Sequence, residues 1–542
     1  MKRLIYLSLI LFLTACHNNS NNEGKTVFRY NESAGITSLD PAFARNQANI
    51  WAVNQLFNGL TQLDDNLQIL PCIAKRWDIS ADGLNYIFYL RNDIFFHNSP
   101  LFKQEKRKVT AEDFVYSFNR IVDKKVSSPG SWIFSSVARK KDGSFAFTAL
   151  NDSTFEIRLE HPFPPFLGML AMQYCSVVPY EVVEHYGKDF RQNPVGTGPF
   201  RFKMWKEGVK LVFTKNDNYF ETDEKNKRLP YLDAIAITFI IDKQTAFLEF
   251  VKGNIDFLSG IDASYKDELL TRDGKLNPKY ANKFNLSKKP YLNSEYLGFL
   301  TDNNLPLVTK SPLRDKRVRQ AINYGFDRKK MMLYLRNNIG IPATSGFIPS
   351  GMPSFDSSVV KGYTYNPDKA RQLLSEAGYP NGSGLPPITL STNASYLDLC
   401  QYIQSELDGI GIKLKIDVSP PGTLREMIAR SEVNFFRGSW IADYPDAENY
   451  LSLFYSKNFA PIGPNYTHFK DITYDKLYEK CLTELNDSIR FHFYRQMDSI
   501  VLDYAPVVVL YYDEVLRFTQ KNILGLGNNP LNLLTLKRVK IL

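Results

Sequence analysis

Closely spaced cysteines are missing from this chain. Its five cysteines, Cys16, Cys72, Cys175, Cys400 and Cys481, stand far apart. Structural zinc sites bring their ligands in tight pairs, so no such site is expected. The six histidines, His17, His97, His161, His185, His468 and His492, are equally scattered. No metal and no cofactor is therefore expected. Compact blocks of lysine and arginine are also absent. The net charge is +9, about +7 once Lys2 and Arg3 are removed, and bases and acids interleave. That pattern gives solubility rather than a nucleic-acid surface.

Long apolar runs are the third absence. A membrane-spanning helix needs about 20 apolar residues. The run Ala505 to Tyr512 is strand-sized, and Leu4 to Leu13 is too short to span. The latter follows Lys2 and Arg3 and leads into Leu13-Thr-Ala-Cys16, so residues 1–15 read as a secretory signal. The ending resembles the bacterial lipobox, in which the cysteine thiol is alkylated by diacylglycerol and becomes the new N-terminus. Cys16 is thus the expected lipid anchor, and 16–25 a polar tether. His17 stands where an inner-membrane retention signal would place Asp, which leans to an outer membrane. Outside the cytoplasm a disulfide is open among the four remaining cysteines, with three pairings.

What is present is irregular alternation of helices and strands over a length that suits two or three domains. Val109 to Arg120 carries Thr110 as cap, Asp113 three later, and Phe114 and Phe118 on one face. Asn366 to Gly378 has an Asn cap, Pro367 at the first helical position and a Gly stop. Asp315 to Phe326 places Val318, Ala321 and Ile322 on one face. Tyr86 to Arg91, Lys210 to Thr214 and Lys413 to Ile416 read as strands. Gly196-Thr-Gly198 lacks the third glycine or Lys-Ser/Thr of a phosphate loop, so it reads as a turn.

One stretch, Gly438 to Leu451, gathers three carboxylates: Asp443, Asp446 and Glu448. A catalytic acid pair needs fixed separation that sequence does not show. A calcium loop needs another spacing. Pro445 followed by acids fits a helix start with Pro at its first position, and Asp446 and Glu448 are expected there. Asp443 differs, because it ends the apolar run Ser439 to Ala442.

Segments in order along the chain resemble family 5 of the bacterial extracellular solute-binding proteins, the peptide-binding components of ABC importers. They include Leu39-Asp-Pro41, Asn58-Gly-Leu60, Ala74-Lys-Arg-Trp77, Asn193 to Phe200, Asn216-Asp-Asn-Tyr219, Lys316 to Tyr324 and Tyr365 to Arg371. The resemblance implies an α/β clamshell of two lobes with mixed sheets. Lobe I would be discontinuous, from 26–61, 195–295 and 500–542, with an extra subdomain at 62–194. Lobe II would be 296–499. It also implies a monomer that binds peptides and hands them to a permease and its ATPase subunits, with no catalysis.

By the same resemblance Asp443 grips the ligand α-ammonium. Ser439 and Ile441 offer backbone groups, Trp440 lines a side-chain pocket, and Arg437 meets a short peptide's carboxylate. Ala34 and Gly35 would supply the facing edge. Members of this family also take murein peptides, haem or nickel chelates. Asp443 argues for an amine-bearing ligand and against a chelate, while murein peptides stay open. A hydrolase is the alternative of another class, and no nucleophile motif supports it.

Overall fold

Two long strands carry the architecture of this computed structural model, which describes residues 24–542. Phe284–Phe299 and Val507–Gln520 pair antiparallel at the centre of an eleven-stranded sheet. At one end their neighbours are Phe257–Ser259, Val27–Asn31, Ala234–Thr238, Lys210–Lys215 and Phe200–Lys206. At the other end they are Phe435–Ile441, Ile388–Thr392 and Leu414–Val418. The two ends are the sheets of two lobes, and the long strands cross between them. Their register breaks between Pro290 and Ser294. Proline has no N–H to give to a ladder, and the bulge falls between the lobes.

Each lobe has its own core. Phe28, Tyr30, Trp51, Leu56, Ile235 and Phe257 pack together in the first. In the second, Leu297, Phe299, Ile322, Leu374 and Ile403 form one layer, and Tyr296, Phe347, Tyr450 and Phe454 another. A separate four-stranded sheet, with Ala74–Ile79 and Phe147–Asn151 at its edges, has a third core. The helix Ala111–Val122 packs there through Phe114 and Phe118, both fully buried. Burial of each ring stabilises by about 1.5–3 kcal/mol, and the expected Thr110–Asp113 capping box is present. The other two expected helices form as Pro367–Glu376 and Lys316–Tyr324, capped by Asn366 and Asp315.

The chain end returns to the first lobe. Trp51 Nε1 donates to the Asn532 carbonyl at 2.7 Å, and Gln55 Nε2 to that of Leu534 at 2.7 Å. The Gly196-Thr-Gly198 turn is explained by close approach. A Cβ on Gly196 would lie 2.1 Å from the Leu56 carbonyl oxygen, so only glycine lets the helix end sit there. Cys72, Cys175, Cys400 and Cys481 are buried free thiols, so no disulfide joins them. Burial pushes the Cys72 thiol up to about 12, which keeps it protonated and inert. Residues 1–15 and Cys16 lie outside the described residues.

Candidate binding cleft

Asp443 follows the Phe435–Ile441 strand, and that strand's pairing decides what it presents. It runs antiparallel to Phe284–Phe299, with Ile441 opposite Asn293 and Ser439 opposite Glu295. Just beyond it, Ala442 donates its N–H to the Leu292 carbonyl at 2.9 Å. Backbone groups of successive strand residues point to opposite edges. Ser439 and Ile441 therefore direct theirs away from the long strand. On that side the strand's only partner among the described residues is Ile388–Thr392, at Phe436. The edge from Gly438 to Ile441 is open.

Asp443 lines an inter-lobe cavity of about 310 Å³. The first lobe contributes Arg45, Gln47, Ile50 and Trp51, its subdomain Met172 and Tyr174, and the long crossing strand Tyr291. The Asp443 side chain is exposed to cleft solvent, yet the protein around it crowds the carboxylate enough that desolvation raises its pKa from the ordinary aspartate value, partly offset by Asn449. No cation pairs with it among the described residues. Its one side-chain partner is Asn449, whose Nδ2 donates to Oδ2 at 3.5 Å. A second cavity, of about 390 Å³, shares Gln47, Trp51, Tyr291 and Asn532 with the first.

The other expected site residues are distributed unevenly. Ile441 is exposed and lines the cavity. The Trp440 ring packs partly buried against the second lobe's core, and its Nε1 donates to Asn449 Oδ1 at 2.9 Å. That same Oδ1 accepts the Asp443 N–H at 3.2 Å. Asn449 thus ties Trp440 to Asp443, a role no sequence signal announces. Arg437 points inward. Its guanidinium is ion-paired with the buried Glu295 and lies 3.2 Å above the Tyr396 ring centroid. Burial works against its charge, but Glu295, Tyr396 and Tyr511 outweigh that and hold its pKa up. Ala34 and Gly35 do not line the cavity with Asp443. They form a turn beside Ser33, which lines the second cavity. The segment facing Asp443 is Ala44 to Gln47. It follows Leu39-Asp-Pro41 closely, so the sequence did carry a signal for it.

The expectation of a helix with Pro445 at its first position is corrected. The helix is Glu448–Leu451, capped by Ala447. Glu448 is buried and Asp446 is nearly so, rather than solvated. Glu448 accepts the hydroxyls of Tyr444 and Tyr478. Asp446 accepts the Tyr494 hydroxyl at 2.7 Å, an Arg490 guanidinium N–H at 3.2 Å and the Glu448 N–H at 2.9 Å. Glu448 does stand in the first helical turn and Asp446 accepts that helix's first N–H, but Tyr478, Arg490 and Tyr494 from distant helices complete the partners of these two acids.

A cleft between two lobes, open-edged strand and unpaired carboxylate within it, defines a solute-binding clamshell. The family model for bacterial extracellular solute-binding proteins, family 5, matches residues 68–461. That is more than half of the chain, and the chain belongs to this family, whose members are binding proteins rather than enzymes. It is 24% identical over 492 residues to a dipeptide-binding protein of Escherichia coli strain K12, covering 88% of this chain and 87% of that one. It is 27% identical over 467 residues to heme-binding protein A of Haemophilus influenzae, covering 83% and 80%. A Helicobacter pylori periplasmic binding protein solved with the peptide STSA superposes with a TM-score of 0.76 at 25% identity, covering 95% of this chain and 98% of that one.

Proposed function

We propose that this protein binds short peptides outside the cytoplasm and delivers them to an ABC import permease driven by ATPase subunits, with the ligand α-ammonium on Asp443. The observation that carries this reading is a crowded carboxylate with no cation paired to it among the described residues, at the end of an open strand edge. A partly desolvated carboxylate without a counter-charge is costly. A peptide ammonium repairs it with charge-assisted hydrogen bonds. Backbone groups of Ser439 and Ile441 pair with the peptide by strand addition. Both contacts ignore side-chain identity, which suits a transporter of many peptides. Arg437 contributes by holding the strand to Glu295, Trp440 by holding Asn449, and Cys16 by anchoring the chain to a membrane through lipid.

Calorimetry with free and N-acetylated dipeptides tests the assignment. Asp443→Ala is expected to lose about 2–5 kcal/mol of affinity for free-amine peptides. Acetylation is expected to cost wild type a similar amount. Unchanged affinity in both experiments would refute the role of Asp443.

A further inference from the structure

We propose that Arg45 is the carboxylate receptor of this cleft, so that the ligand is read at a positive and a negative end at once. The inference rests on the assignment of the ammonium to Asp443. Among all the side chains lining the cavity, two carry charge, Asp443 and Arg45. They come from opposite lobes. No ion pair joins them, and the Arg45 guanidinium has no hydrogen-bond or ion-pair partner among the described residues; only its backbone N–H is bonded, to the Phe43 carbonyl at 2.9 Å. The remaining walls are apolar, aromatic or amide: Ile50, Trp51, Met172, Tyr174, Tyr291 and Asn532 among them. The Tyr174 phenol lies within electrostatic reach of both charges. Burial and Asp443 raise its pKa, and Arg45 opposes them.

Arg45 also sits on a firm base. It directly precedes Asn46, whose side chain caps the helix Gln47–Leu56 by accepting the Asn49 N–H at 3.0 Å. The positive end of that helix adds favourable potential for an anion. Guanidinium takes carboxylate through two parallel hydrogen bonds. A ligand with an ammonium and a carboxylate a few bonds apart would therefore contact both lobes. Ligands favour closure only through contacts that the closed state improves, and a bridge between lobes is such a contact. Arg437 is already committed to Glu295, which leaves Arg45 as the free cation of the cavity.

The carboxylate has two sources, the peptide terminus or an acidic side chain near the amine. Calorimetry on wild type and Arg45→Met with Ala-Ala, Ala-Ala-amide, Ala-Glu-amide and N-acetyl-Ala-Ala separates them. Wild type is expected to bind Ala-Ala about tenfold more tightly than Ala-Ala-amide if the terminus is read, or Ala-Glu-amide about tenfold more tightly if the side chain is read. Arg45→Met is expected to bring that ratio close to one while keeping the discrimination against N-acetyl-Ala-Ala. Arg45→Glu is expected to reverse it. A wild type that shows neither preference, or an Arg45→Met that keeps it, overturns this inference and leaves the role of Asp443 standing. Loss of discrimination against the acetylated peptide in wild type overturns both.

Discussion

Under the proposed function, Asp443 holds an ammonium because crowding by the protein makes its unpaired charge costly. Desolvation raises its carboxyl above the ordinary aspartate range, and Asn449 only partly opposes this. The raised value has a consequence for binding. An ammonium needs the ionised form, so affinity is full above the raised pKa and falls as pH drops through it. Below that point the decline is expected to approach about tenfold per pH unit. Ligand lowers the pKa again, so binding near it releases a proton. Calorimetry in buffers of differing ionisation enthalpy measures that proton, and Asp443→Asn is expected to abolish it. Affinity that stays flat down to the ordinary aspartate range would contradict this account. At this scale sequence reading singles out Asp443 because the residue ends an apolar run within a recognisable motif. It did not find Asn449, which looks like any helix-start amide until the fold brings Trp440 and Asp443 to it.

The Phe435–Ile441 strand shows how an element holds a functional edge in place. Seven of its residues are registered on the long crossing strand, from Phe435 to Ile441. Across that ladder Arg437 meets Glu295, which is 3% exposed. Burial and the nearby Asp513 together raise the Glu295 carboxyl more than Arg437 and Asn293 lower it. Removing the guanidinium would leave a buried acid without its counter-charge, and such losses cost about 3–5 kcal/mol. Arg437→Ala is therefore expected to lower the denaturant midpoint of unfolding. It is expected to weaken Ala-Ala and Ala-Ala-amide equally. A loss confined to the free carboxylate would return Arg437 to the ligand-binding role its motif implies. The strand itself was legible from its apolar run. Its partner was not, since Glu295 lies 142 residues away.

The whole molecule closes through the residue next to Asp443. Tyr444 belongs to the second lobe's loop, yet its ring is 4% exposed within the subdomain core of the first lobe. It faces Trp132 at 6.1 Å between centroids, and Pro445 packs 3.5 Å from where a Cβ on Gly168 would be. The proposed ammonium site and the lobe contact thus share one short segment. Tyr444→Ala is expected to shift the protein toward an open form, visible as a larger radius of gyration in solution scattering. A competent state that is less populated weakens every ligand by the same factor, here about tenfold. Free, acetylated and amidated peptides should all lose alike. Unequal losses would place Tyr444 at the ligand instead of at the lobe contact.

Sequence alone determined the local pieces and the family. Capped, amphipathic segments such as Ala111–Val122 and Pro367–Glu376 form because their caps and spacing lie within a few residues. The ordered motifs sufficed to identify a two-lobed solute-binding protein, because a family leaves its marks along the whole chain. The tertiary structure decided what each charge meets. Asp446 and Glu448, three residues beyond Asp443 and five beyond it, were drawn into a buried tyrosine network by helices from elsewhere. Arg437 was taken by Glu295, whereas Asp443 and Arg45 were left facing one cavity from opposite lobes. A charge's role depends on which opposite charge lies within a few ångströms, and that distance is set by folding, not by position in the chain.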